Sequence, residues 1–271
     1  MEEDKMHTDS SFKSATLQLN TSQGDNTEPE VLINTGARIK RPLSLNATNV
    51  GDLNMSDAEA KTYFSKRVGS FENAVEDCKS LLNSGVDGDI VGAWLLTEID
   101  HWDNEREKIV ILTQNSLISV RYDFIGLKIY DSKKVLLHMI TKLQEGHFMY
   151  PEKSVMEPRK SVGIRASWGR TETLSFSQKW NPWSSAIPYI TFTHHPLHHN
   201  VEDVDIITYN VDNFYKAFTQ QVQNCHLEKK TGVSPTVTKG SLLIESYASL
   251  TSMIHNQSHL GFSRERGGVS F

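Results

Sequence analysis

The sequence GAWLLTEIDHWDNEREKIVILTQNSLISVRYDF, at residues 92–124, decides the fold class. Its apolar residues form runs that are each short enough for a strand. The run IVIL, within residues 108–113, is typical of a strand covered on both faces. After it, Ile118, Val120 and Tyr122 alternate with polar residues. The polar segments DHWDNERE and TQNS between the runs are typical of hairpin turns. We therefore predict antiparallel strands joined by tight hairpins.

Further short strands are predicted downstream of this stretch. Polar residues at 131–134 and 145–146 interrupt the apolar runs, and we interpret both interruptions as breaks between strands. Two more strands are predicted at residues 162–168 and in the sequence YITFT. The sequence KTGVSPTVTKG is interpreted as a linker because it combines proline, glycine and small polar residues.

Helices are predicted on both sides of the strands. Ser56 and Ser70 are the expected N-caps of two helices that precede them. After the last strand, Phe214 and Phe218 recur at helical spacing in a segment for which Asp212 is the expected cap. The sequence SLLIESYASLTSMIHN, at residues 241–256, is predicted to form a C-terminal helix.

This order of elements predicts an α+β protein. A helix directly after the last of several antiparallel strands is expected to close one end of a small barrel. The outline is that of a pleckstrin-homology-like antiparallel β-barrel, capped by a helix and extended by helices at both ends. We assign this domain to residues 56–271. Residues 1–55 are rich in Ser, Thr, Asn, Asp and Glu, so we predict a disordered N-terminal tail.

Composition limits the possible functions. The chain has 271 residues, and its net charge of −5 excludes a general affinity of the whole chain for nucleic acid. Its N-terminus is acidic and has no apolar core of the signal-peptide type. No stretch of about 18 apolar residues occurs, so we expect a cytoplasmic protein that does not span a bilayer.

The acidic segment DHWDNERE resembles a metal or acid/base site at first sight. It lacks the ligand spacing and the central glycine of a calcium loop, and His101 is the only nearby ligand that favours zinc. We therefore interpret the segment as the hydrated end of a hairpin, with Asp100 and Arg106 able to pair across the turn.

A histidine group lies in the sequence HHPLHH. It comprises His194, His195, His198 and His199. Pairs four residues apart chelate metals on a helix, but the proline between them disfavours one, and no cysteine or carboxylate completes the set. We prefer a pH-sensitive surface loop to a metal site.

Basic side chains are predicted in loops and at strand ends of the barrel. They are Lys133, Lys134, Arg159, Lys160, Arg165, Arg170 and Lys179. If they converge, they form a site for an anionic lipid headgroup, and otherwise they are solvated charges. In the predicted tail, Arg41 lies three residues before Ser44, which makes Ser44 a candidate phosphorylation site. The alternative, which we prefer, is that these basic residues are only a solvated cluster.

Aromatic residues stand out in the loop WNPW and in the C-terminal tail. Trp180 and Trp183 either anchor this long loop onto the core or contact a partner, and we prefer the anchor. The tail contains Phe262 and Phe271, and the C-terminal Phe271 is expected to pack back onto the fold in the same way.

Neither cysteine has the context of a catalytic nucleophile. Cys78 and Cys225 lie on apolar stripes, so both are expected to be buried and reduced. The Cys-x5-Arg loop of cysteine phosphatases is absent, because Ser84 and Thr231 occupy the arginine positions. No phosphate-binding loop or serine elbow occurs. We predict no enzyme activity, no cofactor and no pocket lined by converging ionisable groups.

Three motifs carry a resemblance to a known family. They are the quoted stretch at residues 92–124, the sequence KWNPWSSAIPYITFTHHP and the sequence LLIESYASLTSMIHNQSHLGFSRERGGVSF. In this order they resemble the tumour-protein-p63-regulated gene family, which includes a presynaptic vesicle protein. The resemblance covers residues 63–271 and leaves the N-terminal tail unmatched.

The resemblance implies a fold and a function. It implies a domain named after a Sac-type inositol phosphatase, in which that domain lies outside the catalytic part. It also implies a homodimeric, peripheral protein on the cytosolic face of synaptic vesicles that tunes exocytosis through contacts with vesicle or presynaptic scaffold proteins. A phosphoinositide-binding module that uses Arg165, Arg170 and Lys179 is the alternative.

Overall fold

The computed structural model describes residues 30–32, 38–40, 55–152, 159–169, 174–181, 184, 186–200, 206–232, 234–244 and 258–260. The chain divides into two units, Met1–Ala47 and Thr48–Phe271. In the first unit, strands β1 (Glu30–Leu32) and β2 (Arg38–Lys40) form an antiparallel pair. The prediction of disorder over residues 1–55 did not include this pair. Most of that range, with Ser44, lies outside the described residues.

The second unit begins with short helices. They are α1 (Asp57–Ala60), α2 (Ser70–Cys78) and α3 (Ser84–Asp87), with 3-10 turns at Phe64–Lys66 and Lys79–Leu81. Ser56 caps α1 as predicted, in a reciprocal capping box with Glu59. The predicted cap of α2 is displaced by one residue. Gly69 is the N-cap because the chain turns there with φ +73°, a conformation that favours glycine.

The strands of the second unit follow in chain order. They are β3 (Ile90–Ile99), β4 (Glu105–Thr113), β5 (Ser116–Asp123), β6 (Lys128–Leu136), β7 (Ile140–Met149), β8 (Val162–Trp168), β9 (Tyr189–Thr193), β10 (Thr236–Lys239), β11 (Leu242–Leu243) and β12 (Ser258–His259). Helix α4 (Phe176–Trp180) lies between β8 and β9, and α5 (Val211–Glu228) follows β9. Short 3-10 turns occupy Leu137–Met139, Pro196–His199 and Ile206–Tyr209.

Strands β3 to β9 form one antiparallel sheet in the order β6-β5-β4-β3-β9-β8-β7. The first strand, β3, therefore joins two halves of the sheet. It pairs with β9 only at Thr97–Thr193 and Glu98–Phe192, so the halves diverge on either side of this junction. The seam between β6 and β7 is unpaired within the described residues. This is the predicted pleckstrin-homology-like arrangement, an antiparallel barrel with one open seam.

Helix α5 packs on the inner face of the sheet and caps one end of the barrel. Phe214 and Phe218 are fully buried, and their stacked rings lie 5.0 Å apart. Phe214 also packs edge-to-face against Trp94 and Phe192, with centroid distances of 5.2 and 5.7 Å. Nε1 of Trp94 donates to Oδ1 of Asn213 at 3.0 Å, which satisfies the polar atom of this buried ring. The predicted capping helix is confirmed.

The outer face of β3, β4 and β5 is also buried. Ile109 and Ile111 of the IVIL run point to this face and join a cluster that includes Tyr63 and Cys78 from the N-terminal helices. Val110 and the last leucine of the run point inward to the core beneath α5. A strand covered on both faces was predicted here, and the structure confirms it.

The predicted strand breaks at residues 131–134 and 145–146 are wrong. Strand β6 continues through the first because its charged side chains find partners, such as Lys134 with Asp87 at 2.6 Å. Strand β7 continues through the second because Gly146 lets the neighbouring strand β10 approach closely. A Cβ at Gly146 would overlap the carbonyl oxygen of Gly240.

Three predictions after β9 also change. The predicted linker contains β10, which runs parallel to β7 with Thr236 opposite Lys142. Helix α5 is capped by Asn210 rather than Asp212, because Oδ1 of Asn210 accepts from two backbone amides, at 2.7 and 3.1 Å. The predicted C-terminal helix begins instead with β11, parallel to the end of β7. Residues 245–256 of that prediction lie outside the described residues.

Candidate functional site

The inner face of the barrel changes from apolar to charged along its strands. Near α5 the inward residues are Trp94, Leu96, Val110, Leu117 and Val135. Because alternate residues of a strand point to the same side, the next inward positions on β3, β4, β5 and β6 share this face. A cleft opens there, with a volume of about 480 Å³. We call it the mouth and define it by Glu98, Arg106, Lys108, Arg121, Asp131 and Lys133.

The mouth and α5 lie at opposite ends of the barrel. Nε2 of Gln221, in α5, donates to the backbone oxygen of Gln114 in the β4–β5 turn at 2.9 Å. The mouth residues of β4 lie at the other end of that strand, beside the β3–β4 hairpin turn. The expectation that no pocket is lined by converging ionisable groups is therefore wrong. Helix α5 covers one end of the barrel with apolar side chains, and charged side chains line the other.

Most charges of the mouth are matched by neighbours. Nζ of Lys108 lies 3.0 Å from Asp131 and 3.7 Å from Glu98. The hydroxyl of Ser119 donates to Glu98 at 3.3 Å. Arg106 and Asp100 pair at 3.3 Å, as the sequence predicted. This part of the mouth is thus a network of compensated charges.

Two cations of the mouth lack a carboxylate partner within 4.0 Å in the described part of the chain, Lys133 and Arg121. Nζ of Lys133 lies over the ring of Trp168 at 4.8 Å and donates to the carbonyl of Ile187 at 3.4 Å. Burial lowers the pKa of Lys133. The guanidinium of Arg121 lies 5.2 Å from the ring centroid of Tyr130. These two groups are the ones most available to an anionic ligand.

The other described basic candidates do not join the mouth. Lys134 points to the opposite face of β6, where it pairs with Asp87 and donates to the carbonyl of Leu81 at 3.1 Å. Arg165 donates to Thr191 at 2.9 Å and to the carbonyl of Leu243 at 2.9 Å. Both side chains thus hold structural contacts. Arg170, Trp183 and the side chain of Lys179 lie outside the described residues.

The β3–β4 hairpin turn lies beside the mouth. Asp100 holds it by accepting from the backbone amides of Trp102 and Asn104, each at 2.9 Å. The hairpin was predicted correctly. The prediction that its turn is exposed to water is wrong, because His101, Trp102 and Asp103 are buried. Nε2 of His101 lies 3.0 Å from the backbone oxygen of Asn181, so the turn contacts the end of α4.

Arg159 explains why this turn is buried. Its Nε donates to Asp103 at 2.7 Å, and its guanidinium also pairs with Glu105. The hydroxyl of Tyr150 also donates to Asp103, at 3.0 Å. Burial alone would lower the pKa of Arg159, but the adjacent carboxylates outweigh it and raise that pKa. Arg159 is therefore a buried structural residue and not a member of an exposed basic face.

The predicted surface loop packs closely against the fold, with His194, His198 and His199 only partly exposed. His195 is fully buried, with Nε2 3.0 Å from Glu107. His194 and His198 stack at 4.2 Å. Burial and the neighbouring histidines lower the pKa of His194 to about 3. Within the described ranges, no group of three His, Cys, Asp or Glu residues is placed to hold a metal.

Both thiols are buried, as predicted. Burial and the adjacent charge of Asp77 raise the pKa of Cys78 to about 12. Burial also raises the pKa of Cys225. Because the thiolate is the nucleophilic form, neither side chain is activated for attack.

The sequence did not reveal where apolar side chains are exposed. The loop between β5 and β6 presents Ile125 and Leu127, which are 68% and 63% exposed, and the start of β6 presents Tyr130, which is 59% exposed. We call residues 124–130 the β5–β6 tip. On α4, the exposed rings of Phe176 and Trp180 lie 5.7 Å apart, so Trp180 does not anchor its loop in the core. The detectable signal was Ile-Gly-Leu at a turn, where polar residues are usual.

Comparison with known proteins identifies the family. The chain is 35% identical over 215 residues to tumor protein p63-regulated gene 1 protein from Homo sapiens, an alignment that covers 78% of each chain. The chain belongs to the tumour-protein-p63-regulated gene family. A family model described as hSac2, inositol phosphatase, matches residues 62–169 of this family member. The mouth strands β3 to β6 lie within that match.

Solved structures are also similar to this member of the tumour-protein-p63-regulated gene family. One of them is the hSac2 domain from human phosphoinositide phosphatase Sac2, with 15% sequence identity and a TM-score of 0.37. The similarity covers 72% of this chain and 96% of that chain. In the described part of the family member, no helix has the length and apolar character needed to cross a membrane.

Proposed function

We propose that this family member is a non-enzymatic adaptor, peripheral on the cytosolic face of vesicles, which modulates exocytosis through protein contacts as a homodimer. The observation that carries the proposal is the exposure of apolar side chains beside the mouth, on the β5–β6 tip and on α4. Clustered exposed apolar residues mark surfaces that contact a partner or a membrane. The resemblance to vesicle proteins of the family supports a vesicle as the location.

Three features favour an adaptor over an enzyme. The barrel is filled at the α5 end by large side chains, among them Trp94, Phe192, Phe214 and Phe218. Both thiols have raised pKa values. The carboxylates that line the mouth face basic side chains at ion-pair distance. Because the matching family model carries the name of an inositol phosphatase, phosphate release from a panel of phosphoinositides is the direct test. Turnover that is lost in Cys78→Ser or Cys225→Ser would contradict the proposal.

Strand β6 supports self-association. Within the described residues it pairs only with β5, so it forms an edge of the sheet. Edge strands present backbone groups that can pair with a second copy. Light scattering after size exclusion should give about twice the monomer mass of 30.6 kDa. A monomer at tens of micromolar protein would remove the homodimer from the proposal.

The vesicle role is tested with native membranes. Purified synaptic vesicles should bind the full chain, and mild trypsin treatment of the vesicles should reduce binding if vesicle proteins provide the contacts. A pulldown from brain extract, compared with one from another tissue, should then identify those proteins. Equal recovery on vesicles and on protein-free beads would contradict vesicle docking.

A phosphoinositide-binding module is the second candidate, and Lys133 with Arg121 favours it. Both line the mouth without a carboxylate partner among the described residues. Calorimetric titration of a soluble inositol phosphate should then show binding that Lys133→Ala weakens. The exposed Lys61→Ala serves as the matched control of equal charge change. Binding that is equal in both variants, or lost at moderate salt, would indicate general electrostatics alone.

A further inference from the structure

We infer that the β5–β6 tip inserts into the surface of an anionic lipid bilayer and orients the protein with its mouth toward the membrane. The inference rests on the proposed vesicle location and specifies which residues contact the lipid. Its first support is position. The tip follows Arg121 and precedes Asp131, and both of these residues line the mouth. A membrane that receives the tip therefore lies next to the cleft.

The apolar residues of the tip project from a convex turn. Ile125 and Leu127 lie between the ends of β5 and β6, and about two thirds of each side chain is exposed. Three apolar side chains on a hairpin end do not form a groove or a flat face for a folded partner. A convex apolar end instead fits a deformable acyl boundary, into which a few side chains can be buried.

The residues around these side chains have the chemistry of a membrane interface. Nζ of Lys128 and the guanidinium of Arg121 each lie 5.2 Å from the ring centroid of Tyr130. In the described part of the chain, neither cation has a carboxylate oxygen within 4.0 Å. Tyrosine is enriched at the headgroup level, and lysine and arginine attract anionic lipids. The same cations oppose tip-to-tip contact with a second copy, because like charges would face each other.

The shape of the tip is fixed before any membrane is present. Oδ1 of Asp123 accepts from the backbone amides of Ile125 and Gly126, both at 2.9 Å. A Cβ at Gly126 would lie 2.6 Å from the carboxylate of Asp123, so a larger residue there would have to displace the side chain that holds the turn. Tyr122 and Phe124 pack against each other beneath the tip, with centroids 5.1 Å apart. The negative charge of Asp123 is thus occupied by the turn, and the apolar side chains are held outward.

Liposome flotation with the full chain tests the inference. Vesicles of phosphatidylcholine with 30% phosphatidylserine, roughly the anionic fraction of a cytosolic leaflet, should float the protein. The double variant Ile125→Ser, Leu127→Asn should weaken binding on the order of 30-fold, because two apolar side chains no longer enter the bilayer. Asparagine is chosen because Leu127 has φ +49°. Leu227→Asn, which replaces a leucine on α5 that is 76% exposed, is the control and should bind normally.

A second readout follows the tip itself. A polarity-sensitive dye on Ile125→Cys labels this site selectively, because Cys78 and Cys225 are buried. Its emission should shift to the blue on the anionic vesicles, and Lys128→Glu should reduce binding about fivefold or more. Binding without a blue shift, or equal binding of the double variant, overturns the inference. Failure to bind protein-free liposomes also overturns it but leaves the proposed function standing if native vesicles still bind the protein through trypsin-sensitive contacts.

Discussion

The substitution Arg159→Met is expected to destabilise the domain, because Arg159 has a structural role and not a binding role. Arg159 is almost completely buried and contacts Asp103, whose side chain is fully buried. Methionine keeps most of the side-chain length but leaves the carboxylates of Asp103 and Glu105 without their cation. Breaking a buried ion pair by removing one partner costs about 3–5 kcal/mol.

This loss should be visible as a change in melting temperature. In a domain of this size, 1 kcal/mol shifts the melting temperature by about 2–4 °C, so we expect a decrease of roughly 6–20 °C. Scanning calorimetry or circular dichroism measures it. The control is Lys61→Met, which removes an exposed ion pair with Asp57 at 2.6 Å. That variant should melt within about 2 °C of the original chain, because exposed ion pairs contribute little.

A double-mutant cycle tests the cause of the loss. Asp103→Asn removes the charge while keeping a residue type that tolerates the observed φ of +65°. The combined variant with Arg159→Met should lose less stability than the sum of the two single variants. Each single variant leaves one buried charge of the Arg159–Asp103 pair without its partner, whereas the double variant removes both charges. We expect a coupling of about 1–3 kcal/mol. A loss below about 1 kcal/mol in Arg159→Met, or additive single variants, would refute the reasoning.

Three further predictions follow from buried groups and close contacts. The pKa of His194 is about 3 in the fold against 6.5 when unfolded, so only the unfolded chain gains its proton as the pH falls below 6.5. The free energy of unfolding, measured by urea titration, should therefore decrease by up to about 1.4 kcal/mol per pH unit as the pH falls from 6.5 toward 3, and less steeply in His194→Asn. A free energy of unfolding that does not change with pH would contradict this. Lys133→Met should raise the urea midpoint, since the ammonium is buried beside Trp168 without a carboxylate partner among the described residues. Lys134→Met should lower stability by about 1–3 kcal/mol, because the fully buried Asp87 loses its cation. Equal effects of Lys133→Met and Lys134→Met would contradict the placement of the two lysines on opposite faces of β6. Gly146→Ala should cost about 1–3 kcal/mol and raise hydrogen exchange in β10 selectively, whereas unchanged exchange there would contradict the close approach of the strands.

The barrel could be predicted because its signals are local. The IVIL run of β4 is buried on two faces, and such a run has no solvent side to mark with polar residues. Phe214 and Phe218 are one helical turn apart and meet the core together. The polar hairpin turns interrupt these runs at intervals that only short strands fit. Local pattern therefore determined the type of these elements, although it misplaced strand breaks in β6 and β7 and missed β10 and β11.

The environment of the hairpin turn could not be predicted, because it depends on distant residues. The segment DHWDNERE is polar and typical of solvent exposure, yet Arg159 and Tyr150 neutralise and cover Asp103 from far along the chain. Strand β10 was missed for a similar reason. Its four residues pair in parallel with β7, and nothing in its own composition indicates which strand it joins.

The mouth was only partly predictable from the sequence. Glu98 is two residues beyond Leu96, and Lys108 and Lys133 are each two residues before an inward valine. Strand alternation alone places all three charges on the inner face, so the sequence contained the signal once the register was known. The sequence did not show that Lys108 pairs with both Glu98 and Asp131. As a result, Lys133, like Arg121, has no carboxylate within 4.0 Å in the described part of the chain.

The unequal ends of the barrel follow from one feature of the chain. Helix α5 brings Phe214 and Phe218 to a single end, so apolar inward residues are stabilised there and charged inward residues at the other. At the open end, the buried Lys108 is paired with carboxylates, whereas Lys133 is held by the ring of Trp168 and the carbonyl of Ile187. Arg121 lies beside Tyr130, with no carboxylate within 4.0 Å in the described part of the chain. Substitutions at the mouth and at the β5–β6 tip should therefore change binding with little loss of stability, whereas substitutions at the α5 end should do the reverse. That division makes the end opposite α5 the place where a barrel of this kind can acquire a ligand or a membrane contact without loss of its core.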